Sequence, residues 1–90
     1  MKTNLITKEH FMTNSKKYNN VFIEAFGIEE SSLNNSLEYN SIASWDSVGH
    51  MGLIAGLEDA FDIMLEMDDI IEFSSYTQGV KILAKYEIEI

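Results

Sequence analysis

Apolar residues recur at helical spacing in three stretches of this 90-residue chain and are irregular between them. Tyr18, Phe22, Ala25 and Phe26 follow an i, i+4, i+7, i+8 pattern, which predicts a helix with one buried face, widened by Val21. Thr13 or Asn14 serves as its N-cap, and it ends at Phe26. There Gly27 suits the left-handed C′ position and Ile28 can fold back on the last turn. Lys16 and Lys17 fall in the first turn, against the helix dipole. Farther on, Leu53, Ile54, Leu57 and Phe61 mark the inner stripe of a helix from about Ser47 to Phe61, capped by Ser44 or Asp46. At about 100° per residue a second stripe, Val48, Met51 and Ala55 flanked by Glu58 and Asp59, lies on the side of Ser47. A last helix runs from a Ser75…Gln78 capping box to about Tyr86, with Tyr76, Val80 and Leu83 inward.

The segments between are read from their polar residues. Glu29 to Ser44 is a long loop rich in Ser and Asn, which bond their own backbone and compete with helix. Leu33, Leu37, Tyr39 and Ile42 are the pegs expected to fasten it to the core. Between Asp62 and Met67, Ile63 and Leu65 act as anchors. Asp68 caps a short helix through Asp69, Ile70, Ile71 and Glu72. The pattern therefore predicts an all-α fold, a small four-helix bundle of three main helices and one short helix, over residues 13–86. Residues 1–12 form an N-terminal extension, either a frayed tail or a short helical turn. Residues 87–90 form a frayed C-terminal tail.

Composition narrows the functions open to such a bundle. A hydrophobic share of 46% supports a core rather than disorder. Cysteine is absent, which excludes a disulfide framework, a thiolate nucleophile and a Cys-type zinc site. No leader-like or membrane-length apolar run occurs, so the expectation is a cytoplasmic protein without membrane insertion. The net charge is −9, and no Lys or Arg occurs from Tyr18 to Val80, a span with twelve Asp and Glu. Such a surface repels nucleic acid and steers basic partners, or serves solubility alone.

Asp46, Ser47 and His50 are the residue types of a hydrolase triad, but no Gly-x-Ser-x-Gly elbow surrounds the serine and no strand precedes it. His50 projects toward the core side of its helix, where a half-buried, hydrogen-bonded role is expected. The acidic run Glu58 to Asp69 lacks the order of a calcium loop, so no metal site is assigned. Gly49, Gly52 and Gly56 share one side of the second helix. They mark either a tolerated weak helix or a shallow strip where a backbone or a flexible cofactor arm approaches. A modified serine accounts for more. The Ser47 hydroxyl sits where loop becomes helix, beside unpaired amides at the positive end of the helix dipole. Val48 and Met51 supply an adaptable apolar patch, with Glu58 and Asp59 at its border.

These residues resemble an acyl carrier protein of the phosphopantetheine-binding carrier superfamily. The likeness rests on Asp46-Ser47, on Leu53, Leu57 and Phe61 after it, and on the acidic helix. It extends to Gly27, twenty residues before Ser47, and to Asp68-Asp69-Ile70-Ile71 ahead of a capped helix. It covers about Thr13 to Tyr86. The resemblance implies a non-catalytic monomer with 4′-phosphopantetheine attached to Ser47 by a holo-carrier synthase, Asp46 being the flanking motif residue. The arm's thiol then carries acyl or aminoacyl groups as thioesters. The implied partners are the phosphopantetheinyl transferase, acyl- or aminoacyl-loading enzymes, and acyl transferases or synthases. They would dock on Val48, Met51, Ala55, Glu58 and Asp59. Two departures stand out. Val48-Gly49-His50 follows the serine where fatty-acid carriers usually have Leu-Asp, and Gly52 stands where many have an acid. With Trp45 before Asp46, as in specialised stand-alone carriers, they point to a dedicated pathway such as polyketide, peptide or surface-glycan modification. The competing expectation is a small acidic helical adaptor that binds basic partners without covalent modification.

Overall fold

Thr13, Asp46 and Ser75 each offer a side-chain oxygen to the backbone amide three residues on, at 3.1, 2.8 and 2.9 Å, and a long helix starts after each. These bonds satisfy one of the donors that a helix start leaves unpaired. The computed structural model describes residues 13–90. The helices are α1 (Asn14–Phe26), α2 (Ser47–Phe61), α3 (Met67–Glu72) and α4 (Tyr76–Ala84). A single 3-10 turn, Glu30–Ser32, lies in the long first loop. No strand occurs among the described residues, and one isolated antiparallel bridge joins Glu38 to Ser75. The domain is thus all-α, with three longer helices and a short one. No described helix is long and apolar enough to cross a membrane. The expectations for residues 1–12 lie outside the described residues.

Helix α1 stops as its sequence predicts. Gly27 takes a left-handed φ of 65° and its amide bonds the Ile23 carbonyl at 2.8 Å. Helix α2 stops on Asp62, which adopts φ 54° without being glycine. Helix α3 begins two residues earlier than expected. Its N-cap position is Glu66, and Asp68 lies inside the first turn rather than capping it. Helix α4 ends at Ala84, short of Tyr86, and Glu87 turns the chain at φ 65°.

The core is built on an aromatic cluster. Tyr18, Phe22 and Phe26 line the buried face of α1, one helical turn apart. Phe22 is at the centre, with the rings of Tyr18, Tyr76, Trp45 and Phe26 at centroid distances of 4.9, 5.3, 5.7 and 5.9 Å, all edge-on. Such pairs contribute about 0.5–1.5 kcal/mol each beyond their buried area. Leu53, Ile54 and Leu57 of α2 and Leu83 of α4 close the core, as their spacing predicts; Ile82, outside the predicted face, joins them, while Phe61, Tyr76 and Val80 are only partly buried. Gly79 of α4 is buried against Phe73 and Tyr18, where a Cβ would collide with both.

Two further sequence expectations are corrected. Residues 87–90 are not a frayed end. Ile88 is buried in the core, its amide bonds the Leu83 carbonyl, and the Glu89 carbonyl accepts from the Asn14 amide group of α1. The apolar side chain has more to gain from the core than the backbone has to gain from freedom. Tyr39 is not a core peg either. Leu37 is buried and Leu33 and Ile42 are partly so, whereas Tyr39 is 40% exposed.

The short helix is tied to the C-terminus through Asp69. Its carboxylate accepts from the Lys85 ammonium at 2.5 Å and from the Tyr86 hydroxyl at 2.6 Å. The same hydroxyl accepts from the Glu66 amide at 2.9 Å. The bond from Lys85, then that from Tyr86, holds the Asp69 carboxyl below its ordinary range, while the Lys85 ammonium is raised by the same pair. A lowered acid stabilises the fold above its unfolded value and loses that contribution as pH falls through the folded value. Urea midpoints measured from neutral pH to below the ordinary Asp range should therefore fall. In Asp69→Asn the neutral-pH midpoint should be lower and the fall across that acid range shallower.

Candidate functional site

Ser47 opens α2 and is exposed, and its setting is built by the loop before it. The Leu37 carbonyl accepts from the Tyr76 amide and the Tyr39 amide donates to the Ser74 carbonyl, both at 2.9 Å, which pins the loop to the start of α4. Asn40, at φ 68°, turns the chain, and its amide bonds the Trp45 carbonyl. The Ser44 hydroxyl donates to the Phe26 carbonyl at 3.1 Å and so satisfies an unpaired acceptor at the end of α1. Of the two cap candidates it is therefore Asp46 that caps α2, while Ser44 binds α1.

The glycines of α2 do not form one open strip. A Cβ on Gly49 would fall on the Ser44 carbonyl oxygen, and one on Gly56 would come within 2.9 Å of a Val21 methyl. Both are consumed by the chain's own packing. Gly52 alone of the three faces open space. It floors a cleft between α1 and α2, together with Lys17, Asn20, Val21, Glu24 and Asp59.

Trp45 and His50 join Ser47 to the core. Trp45 is fully buried, stacked on Phe26 at 5.0 Å. Its indole N–H donates to His50 Nδ1 at 3.0 Å, and His50 Nε2 meets the Ile70 carbonyl at 2.8 Å. The indole can only donate and the carbonyl can only accept, so the neutral imidazole carries its proton on Nε2. His50 therefore links α2 to α3, in the half-buried, hydrogen-bonded role expected of it.

Beside Ser47 lies a groove of about 560 Å³, walled by Tyr39, His50, Met51, Met67, Ile70, Ile71, Phe73 and Ser74, with Ser47 on its lip. No lining residue carries a formal charge with His50 neutral. Of these residues the sequence reading placed only Ser47 and Met51 in the site. Met67 and Ile71, four apart on α3 and 71% and 70% exposed, were the available signal for the opposite wall. Nothing local marks Tyr39 or Phe73.

The five expected docking residues divide. Val48, Met51 and Ala55 are exposed on α2, Val48 at 79%. Asp59 is exposed at the border of the α1–α2 cleft. Glu58 is turned to an internal task, its carboxylate accepting from the Leu65 amide at 2.9 Å and so fastening the connection to α3. Among the described residues no group of three or more His, Asp or Glu is placed to hold a metal ion. Comparisons with protein-family models, curated proteins and solved structures gave no match.

Proposed function

We propose that this chain is an acyl carrier protein with an acyl-carrier-like bundle, and that Ser47 holds a 4′-phosphopantetheine arm. One observation carries the reading: an exposed hydroxyl in the first turn of α2 stands on the lip of an uncharged, mostly apolar groove. The residues fit such a group. The Ser47 and Val48 amides have no intrahelical acceptor, because first-turn amides cannot, and they favour a phosphodiester oxygen. Asp46 would repel that phosphate, but its carboxylate is engaged with the Gly49 amide. The arm supplies a thiol that carries the acyl group as a thioester, which suits a chain without cysteine.

In the attachment step the Ser47 oxygen bonds to the coenzyme A phosphorus that bears the pantetheine. The bond from that phosphorus to the diphosphate bridging oxygen breaks, adenosine bisphosphate leaves, and the serine proton passes to a base on the transferase. A hydrolase is disfavoured, because both His50 ring nitrogens are occupied by Trp45 and Ile70 rather than by Ser47. Coexpression with a phosphopantetheinyl transferase should add the mass of one phosphopantetheinyl group. No gain with a competent transferase would refute the carrier reading.

The exposed Val48 and Met51 also support docking, on the carrier reading or on the adaptor alternative. Partners with a basic rim suit the acidic span. Met51→Glu should lower the rate at which a transferase or loading enzyme acts by tenfold or more, on the order of the 1.4 kcal/mol that a lost apolar contact can supply, with the urea midpoint unchanged. Unchanged kcat/KM with every partner would remove Met51 from the interface.

A further inference from the structure

We propose that the cleft between α1 and α2 receives an arginine side chain of the enzyme that acts on Ser47, which passes over Gly52 and pairs with the Glu24 carboxylate. The inference rests on the carrier reading and adds to it a second point of recognition, on a different helix from the serine. It starts from a glycine that the chain's own packing does not explain. Glycine in a helix interior costs stability. Gly49 and Gly56 are required, because a Cβ on either would run into Ser44 or Val21. A Cβ on Gly52 would have no heavy atom within 4 Å. Its missing side chain instead leaves open the way from the exposed face of α2 to α1.

The register of the two helices shows what that opening reaches. Lys17 lies over the Phe61 ring, 5.8 Å from its centroid, and Val21 sits against Gly56, so α1 and α2 run antiparallel. One turn farther along α1, Glu24 and Ala25 come level with Gly52, and all three line a cleft of about 460 Å³. The cleft holds two carboxylates, Glu24 and Asp59, against one ammonium, Lys17. That ammonium stays at the Phe61 end, two helical turns or about 10.5 Å along α1 from Glu24. Among the described residues the one ion pair joins Lys85 to Asp69, so neither carboxylate of the cleft has a cation of its own.

The Glu24 end therefore favours a cation from outside the chain. Arginine fits it best. Its flat guanidinium can lie on the bare backbone of a glycine and offer a carboxylate two parallel N–H donors, while its stem covers Val21 and Ala25. The cleft also lies within the footprint of an enzyme bound at the serine. Val48, 79% exposed, is one turn before Gly52 on the same side of α2, and Ser47 is only about 7.5 Å from Gly52 along the helix axis. An enzyme that covers Ser47 and Val48 meets the cleft next.

The test uses the full chain and a phosphopantetheinyl transferase, with kcat and KM for the carrier measured at low and high salt. In Gly52→Leu the side chain fills the opening. KM should rise about tenfold or more with kcat kept, while the urea midpoint holds or rises, since leucine is the better helix former. A purely structural role for Gly52 would not weaken recognition in a protein at least as stable. Glu24→Gln should lower kcat/KM about fivefold, the upper range for an exposed pair, and flatten its dependence on salt. Glu89→Gln removes the same charge beside the start of α1, away from the Glu24 end, and should leave kcat/KM unchanged. Equal losses in Glu24→Gln and Glu89→Gln would reduce the effect to net charge and overturn the proposal. Unchanged kcat/KM in Gly52→Leu would also overturn it, as would a wild-type dimer in sedimentation that Gly52→Leu dissolves, which would give the cleft to a second copy. Should Gly52→Leu not fold, the two glutamine variants decide alone. A wild type that is never modified refutes the carrier reading itself, a result distinct from any of these.

Discussion

Ser47→Ala protein is expected to gain no mass when coexpressed with a phosphopantetheinyl transferase, and to keep the wild-type fold. The two halves of that expectation have separate causes. The proposed modification needs an oxygen nucleophile at this one point of the first turn of α2, and alanine has none. The fold does not need it, because Asp46, not Ser47, caps the helix. The Ser47 hydroxyl makes no hydrogen bond within the described residues, and alanine is a good helix former. The stability change should lie within about 0.5 kcal/mol, the usual range for a surface substitution. Intact mass and urea denaturation on one preparation therefore separate loss of the tether from loss of structure. A phosphopantetheinyl group found on the variant would move the attachment to another hydroxyl and refute the role given to Ser47.

Trp45→Ala should be among the most damaging single changes in the bundle, at about 3–5 kcal/mol. The indole is fully buried, stacked on Phe26 and edge-on to Phe22. Its removal leaves a cavity in the aromatic cluster beside Phe22 and Phe26. It also takes the donor from His50 Nδ1, and with it one end of the link between α2 and α3. Against a total of about 5–15 kcal/mol for a domain, that is a large fraction. Trp45→Phe should recover part of the loss by refilling apolar volume, but not the part owed to the N–H. Urea midpoints followed by far-UV circular dichroism give both values, which matters because Trp45 is the chain's single tryptophan. A change below about 1 kcal/mol in the alanine variant would contradict the packing around the ring.

The contrast between these residues shows where sequence reading succeeds. The exposed, first-turn position of Ser47 could be read from its neighbours alone, since Asp46 and the start of apolar periodicity are local signs. Trp45 could not be weighed that way. A tryptophan two residues before a helix start is compatible with a surface contact or a core anchor. Only the convergence of Phe22 and Phe26 from α1 and His50 from α2 makes it the latter. Glu58 shows the same gap on the polar side. Helical phase puts it beside Met51, yet the amide of Leu65, seven residues on, draws its carboxylate into the α2–α3 connection. Tyr39 was expected to be a core peg and is instead part of the groove wall.

The amino-acid sequence by itself determined where the long helices begin, where α1 and α2 end, and most of the faces they bury. Those features depend on hydrogen bonds spanning three or four residues and on the 3.6-residue repeat, both readable within a short window. The tertiary structure alone decided that the serine borders an apolar groove, that an imidazole bonded to α3 lines it, and that the last residues fold back on α1. Each of these brings together groups 20 or more residues apart in the chain, as His50 and the Ile70 carbonyl or Asn14 and Glu89. Periodicity reports that a face is buried or exposed. It carries no information about which distant segment comes to lie against it.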